Sequence, residues 1–290
     1  MPADYSPIES LDSPLVSVDW LRENLGASNL VVLDASVPPV VPRFISLNTA
    51  DHFSAIPGAR RFDYDKQICK PDSSLPHMMP DQALFESEVR KLGINNESAI
   101  VVYDDVGIYA SPRAWWMFRA MGHTRVAVLN GGLPAWIEAG EATVGELAKP
   151  ASTGNFNAQP IPDLVCDFEA VLSAIYDPNC QVLDARSAGR FNGTAPEPRP
   201  GVRGGHMPNA RNLPFPQVLN GGFMKPVNEL QESLRELAKQ EQKLITSCGS
   251  GLTACVLTLA AYLAGYRNLS VYDGSWAEWG APSKLPVVTD

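Results

Sequence analysis

Short unbroken apolar runs alternate along this chain with segments whose apolar residues recur every three or four positions. Residues 30–34 (LVVLD) and 99–104 (AIVVYD) are runs of the first kind, and 125–129 and 243–247 (KLITS) hold shorter ones, Leu244 and Ile245 in the latter. They are too short for helices and show no polar alternation, so they are expected to be strands buried on both faces. Segments 80–92, with Leu84, Phe85, Val89 and Leu92 at core spacing, and 112–121 (PRAWWMFRAM) are expected to be helices, and 131–136 a turn leading into another. Residues 36–48 hold three prolines and no helical period, and 69–80 end in His77, Met78, Met79 and Pro80, so both are expected to be loops. Residues 56–63 (IPGARRFD) form a Pro-Gly turn and a short segment reaching Asp63.

The pattern is sharpest over residues 243–265. A strand is followed by six loop residues, Cys248, Gly249, Ser250, Gly251, Leu252 and Thr253, and then by an apolar helix that Gly265 terminates. The first N–H groups of a helix have no intrahelical acceptor, so a cysteine at this junction is surrounded by donors and the positive end of the dipole. Those donors favour the thiolate, the nucleophilic form. Gly249 and Gly251 let the backbone curl around the sulfur. A lone cysteine is more often a buried core residue. Here the loop composition and the helix start favour the reactive reading.

Strand and helix signals recur in the same order in both halves. Val32-Leu33-Asp34-Ala35 returns 150 residues later as Val182-Leu183-Asp184-Ala185, and Leu129, Gly131 and Trp136 return as Tyr272, Gly274 and Trp279, 143 residues later. The expectation is two tandem α/β domains, each a mainly parallel sheet flanked by helices. Residues 140–162 are rich in Ala, Gly, Pro and small polar residues, which divides the chain into 1–145, a linker at 146–162, and 163–290. The same alignment sets Asp104 opposite Cys248, so the first copy lacks the nucleophile.

Composition narrows the chemistry. A net charge of −9 argues against nonspecific nucleic-acid or anionic-membrane binding. Five cysteines without CxxC or a metal-ligand cadence indicate neither a disulfide framework nor a zinc site, and a reducing, cytoplasmic setting fits. Asp4, Glu9 and Asp12 give the N-terminal segment neither signal-peptide nor transit-peptide character. The longest apolar stretch, 251–265, is too short to span a bilayer. No metal and no organic cofactor are expected.

Taken together, IPGARRFD, VVYD before SPRAWW, LNGGLPAW, DARSAGRFNGTAPEPR, GHMPNARN, CGSGLT and YDGSWAEWG resemble, in order and spacing, the two-domain rhodanese-type sulfurtransferases. The resemblance covers nearly the whole chain. Enzymes of that family devoted to thiosulfate typically carry basic residues directly after the cysteine. Gly249 and Ser250 stand there instead, and the CGSG form is similar to the 3-mercaptopyruvate sulfurtransferase branch. The resemblance implies that Cys248 carries sulfur as a persulfide. It also implies that Arg190 and Arg199 bind the carboxylate of a 2-oxo acid, and that Asp63 and His77 come from the first domain to a cleft between the two. Ser250 would relay a proton between Cys248 and Asp63. The implied partners are a small-molecule sulfur donor and a thiol acceptor such as thioredoxin or a small dithiol.

Several residues have plainer readings. Arg186 is expected to form a structural ion pair, with Asp184 or with an acid across the domain boundary, His206 to tie backbone, and Cys255 to lie buried away from the loop. Trp115, Trp116, Trp276 and Trp279 are expected to pack the core or the domain boundary. Leu252 stands where the family usually has valine, Asn209 replaces the glycine of an HxPG turn, and Ala55 replaces a histidine. Thiosulfate:cyanide sulfurtransferase is the nearest rival activity. A persulfide-sensing or binding module is the non-enzymatic one. A phosphatase loop would need an arginine where Ala254 stands.

Overall fold

The structure, a computed structural model, describes residues 6–42 and 44–289. Asp4, and residue 43 within the loop expected at 36–48, lie outside the described residues. The chain divides into two compact units. The first comprises residues 1–69, 80–160 and 221–223, and the second 70–79, 161–220 and 224–290.

In the first unit the elements run β1 (Leu15–Val16), α1 (Val18–Asn24), β2 (Leu30–Asp34), β3 (Arg60–Arg61), α2 (Gln82–Lys91), β4 (Ala99–Tyr103), α3 (Ser111–Ala120), β5 (Val126–Leu129) and α4 (Gly132–Glu138). The five strands form one parallel sheet in the order β1-β5-β4-β2-β3. The apolar runs occupy its centre because β4 is buried along its whole length and only helices can cover both faces. Ser17 and Asp81 cap α1 and α2 by accepting from the N–H groups of Trp20 and Leu84. One side of the sheet packs Val32, Val101, Leu129, Leu133 and Trp136 together. Residues 144–160 lie along this unit: Val144 pairs with Ala55, the Ala148 and Gly154 amides donate to the carbonyls of Ala59 and Arg90, and Phe156 is buried.

Phe156 and Phe118 also enclose His123, whose ring nitrogen meets the Ser98 carbonyl at 3.0 Å. Burial pushes this imidazole below its ordinary value of 6.5, with the Ser98 contact opposing the shift. A histidine that titrates lower when folded leaves the unfolded chain binding more protons, so stability is full above about pH 6.5 and falls as the medium is acidified. Urea midpoints are therefore expected to drop from pH 7 to pH 5, and the slope to flatten in His123→Gln.

The second unit repeats the plan with β6 (Val165–Cys166), α5 (Phe168–Ala174), β7 (Cys180–Asp184), α6 (Ala188–Phe191) and β8 (Arg211–Asn212). A two-stranded ribbon follows, β9 (Leu219–Asn220) and β10 (Phe223–Met224). The chain then continues through α7 (Val227–Arg235), β11 (Lys243–Ser247), α8 (Ala254–Leu263), β12 (Leu269–Tyr272) and α9 (Ser275–Trp279). Its parallel sheet has the order β6-β12-β11-β7-β8. β11 is central, so its carboxyl end opens where ligands of such sheets bind. Residues 70–79, from the first half of the sequence, pack with this unit, and the Met79 amide donates to Asp273 at 2.7 Å. None of the helices among the described residues is long and apolar enough to cross a membrane.

Candidate active site

Cys248 follows directly on β11 and is only 2% exposed. The loop after it curls back because Gly251 adopts φ +76°, which glycine alone reaches at no steric cost. The curl brings the Ser250 N–H to 3.5 Å from Cys248 Sγ. Leu252 and Thr253 are buried beneath the turn, and Thr253 hands the chain over to α8. The start of α9 pins the loop from the other side: the amides of Trp276 and Ala277 donate to the carbonyls of Cys248 and Gly249, both at 2.9 Å. The Cys248 amide in turn donates to Ser275 Oγ at 3.1 Å.

Arg190, on α6, supplies the positive charge that the loop lacks. A methyl group placed on Gly249 would stand 3.1 Å from Arg190 Nη2, so glycine is what lets the guanidinium lie against the loop. Glu197 holds that guanidinium, accepting from Nη2 at 2.5 Å and from Nε. The same carboxylate accepts from Arg186 Nη1 at 2.8 Å. Arg186 also forks onto Asp184, donates to the Gly205 carbonyl at 2.8 Å, and lies 4.0 Å above the Trp276 ring. Burial acts against the Arg186 charge, but Asp184 and Glu197 more than offset it, so its pKa is raised. Arg186 is thus the ion-pair former expected from the sequence, with Glu197 as a second, unforeseen partner.

The remaining candidates each have their own surroundings. Arg199 is half-buried and makes no ion pair among the described residues, and the Ser250 hydroxyl makes no hydrogen bond there. His77 belongs to the second unit's 70–79 segment and has φ +59°. Asp63 lies in the first unit, where its Oδ1 accepts from the amides of Asp65 and Lys66 at 3.2 and 3.0 Å. Cys255 is buried, yet it is not remote from the loop: its thiol donates to the Gly251 carbonyl at 3.3 Å, because residue i−4 of the first helical turn belongs to the loop. His206 ties backbone as expected, its Nδ1 meeting the Phe191 carbonyl at 2.9 Å. Asn209 takes φ +59° in place of glycine. Among the described residues no cluster of three or more His, Cys, Asp or Glu could hold a metal ion.

The first unit shows what the loop becomes without sulfur. Asp104 follows β4 as Cys248 follows β11, and its carbonyl accepts from the Leu133 amide at 2.9 Å as that of Cys248 does from Trp276. Its carboxylate turns inward and accepts from the amides of Val106, Tyr109, Ala110 and Ser111 and from the Ser111 hydroxyl. Burial pushes the Asp104 carboxyl up, and the Ser111, Tyr109 and Ala110 donors hold it back. The first loop is filled by its own carboxyl side chain and holds no cysteine.

Three residues that the sequence had not singled out make ties within this unit. Glu197 joins the two arginines, Ser275 receives the cysteine amide, and Asp273 fastens residues 70–79. Each lay within a motif quoted above, Glu197 in DARSAGRFNGTAPEPR and Asp273 and Ser275 in YDGSWAEWG, but without a role of its own.

Residues 17–139 and 167–282 each match the rhodanese-like domain. The 3-mercaptopyruvate sulfurtransferase of Escherichia coli (strain K12) is 37% identical over 275 residues, covering 94% of this chain and 96% of that protein. The thiosulfate sulfurtransferase of Gallus gallus is 40% identical over 281 residues, covering 93% and 94%. Among solved structures, SseA from Escherichia coli, described with the rhodanese fold and as a 3-mercaptopyruvate sulfotransferase, matches with a TM-score of 0.78 at 33% identity over 91% of this chain and 99% of that one. Matched twice in tandem, once around each parallel sheet, the chain belongs to the rhodanese-like family.

Proposed function

We propose that this protein is a sulfurtransferase that takes sulfur from 3-mercaptopyruvate onto Cys248 and passes it to a thiol acceptor or cyanide. The observation that carries this reading is the guanidinium of Arg190 lying against Gly249, beside a cysteine loop with no cation of its own. A guanidinium set to one side of the nucleophile, with Nε and Nη2 on Glu197 and Nη1 outside that pairing, suits a donor whose charge is a carboxylate, separated by carbon atoms from the sulfur being transferred. The relatives named for 3-mercaptopyruvate support the same donor. Thiosulfate is the second donor, supported by the name of the chicken relative.

The Cys248 thiolate attacks the donor sulfur, the carbon–sulfur bond breaks, and its electron pair leaves as the enolate of pyruvate. Cys248 then carries a persulfide. The enolate gains a proton and leaves as pyruvate. An acceptor thiolate attacks the outer sulfur and restores Cys248. Loop amides, that of Ser250 first, stabilise the anionic sulfur. Ser250 relays the proton, with Asp63 as its acid. Arg190 and Arg199 hold the donor carboxylate, and His77, Gly249, Gly251, Leu252 and Thr253 also bind the substrate. The first domain, 1–145, lacks the nucleophile. Residues 163–290 carry catalysis, joined to it through 146–162. Thioredoxin or a small dithiol is the proposed acceptor, and the setting is the cytoplasm.

Arg190→Ala removes one charge-assisted contact, worth about 1.5–3 kcal/mol. Its KM for 3-mercaptopyruvate is expected to rise about 10- to 100-fold, by the usual 1.4 kcal/mol per decade. The change for thiosulfate, whose charge sits on the reacting group, is expected to be smaller. Steady-state pyruvate and sulfite assays check this. Equal losses on both donors, or a wild-type protein that prefers thiosulfate, would move it to the rival donor class.

A further inference from the structure

We infer that Ser275 is a positioning residue for the sulfur loop: its hydroxyl fixes the Cys248 amide and, through it, the direction of the thiol. The inference rests on Cys248 being the nucleophile proposed above. Ser275 is fully buried and has φ +50°, a left-handed conformation that costs a serine energy. The first unit shows that the fold does not require a serine there. Gly132, 143 residues earlier, opens α4 as Ser275 opens α9 and has φ +57°. In each copy the next residue's amide donates at 2.9 Å to the carbonyl of the residue that starts the loop. The backbone path is thus shared, and glycine follows it without strain.

The hydroxyl is what the second copy adds. Ser275 Oγ donates to the Tyr272 carbonyl at 2.9 Å and accepts from the Cys248 amide at 3.1 Å, with the Ser247 hydroxyl 3.5 Å away. Tyr272 ends β12 and Ser247 ends β11, so this one oxygen ties the cysteine to two central strands. With the Trp276 amide on the Cys248 carbonyl, both polar groups of the cysteine backbone are held from α9. Removing the hydroxyl leaves a buried N–H without its acceptor, and the Ser247–Cys248 peptide keeps only the tie on its other side, where the Ser247 carbonyl accepts from the Ala185 amide at 2.8 Å. The direction of Sγ toward the Ser250 amide is then less firmly fixed. The strain is kept only in the copy that carries sulfur.

Ser275→Gly and Ser275→Ala separate the two contributions, since both lose the hydroxyl and only glycine loses the strain. The full-length variants are treated with iodoacetamide at neutral pH, and alkylation of the Cys248 peptide is followed by mass, alongside melting temperature and steady-state kinetics. Both variants are expected to alkylate about tenfold more slowly, with kcat reduced by the same factor and KM within about twofold of wild type. The glycine variant is expected to melt above the alanine variant, because it lacks the hydroxyl without the left-handed strain, and Gly132 shows that glycine is accommodated at this position. A glycine variant that alkylates at the wild-type rate would overturn the inference. So would losses that simply follow the drop in melting temperature. Alkylation needs no sulfur donor, so a protein that turned over neither donor would refute the proposed function and leave this comparison intact.

Discussion

Cys248→Ser is expected to lower sulfur transfer from 3-mercaptopyruvate by on the order of 10⁴-fold or more, the scale seen when a covalent nucleophile is removed. The two side chains are nearly the same size, and the Ser250 amide that faces Sγ can face a hydroxyl instead. The loop carbonyls stay bound to Trp276 and Ala277, so the loop should keep its shape. What serine cannot do is hold a second sulfur. Pyruvate release should therefore fall to background while the melting temperature and the affinity for the donor stay close to wild type. Near-normal turnover in this variant would mean that another group carries the sulfur. The other buried thiol at the loop, Cys255, would be examined first, because it already touches Gly251.

Arg186→Met is expected to be the most damaging single change to stability, at about 3–5 kcal/mol. The guanidinium is completely buried, and methionine fills much of its volume, so the cost comes from charge rather than from a void. Asp184, 2% exposed, and Glu197, 4% exposed, would lose the cation that compensates them both. The Gly205 carbonyl would lose a donor, and Trp276 the cation stacked on its ring. Arg190 would remain as the sole cation on Glu197, drawn further onto it and away from Gly249. Activity should therefore fall even at temperatures where the variant is folded. Urea unfolding measures the stability loss, and a change below about 1 kcal/mol would show that the network contributes little.

The sequence marked the central strands well. The runs at 30–34 and 243–247 become β2 and β11 with the same bounds: β2 is apolar up to Asp34, whereas β11 also buries Thr246, whose hydroxyl meets that of Thr258 at 2.7 Å. Helix ends drifted by a residue or two. Asp81 caps α2, so the helix begins at Gln82 rather than Pro80, and α3 starts at Ser111, where the Asp104 carboxylate takes up the free amides. Edge strands such as β1 and β6 are two residues long, too short to leave a period. The cysteine loop was legible because its chemistry is local: glycines, a thiol and a helix start lie within six residues.

Other ties within the second unit were hidden because their contacts are distant in sequence. Ser275 meets the cysteine across 27 positions, and Met79 meets Asp273 across 194. Glu197 reads as a surface acid in a proline-rich loop until the fold brings Arg186 and Arg190 to it.

The central claim is that Cys248 carries sulfur taken from 3-mercaptopyruvate. Its most direct test is the mass of the Cys248 peptide after brief exposure of the purified protein to that donor, and separately to thiosulfate, each followed by a dithiol chase. One added sulfur atom on this peptide after 3-mercaptopyruvate, removed by the chase, is the expected result. A peptide left unmodified by 3-mercaptopyruvate, while the protein still releases pyruvate, would contradict it.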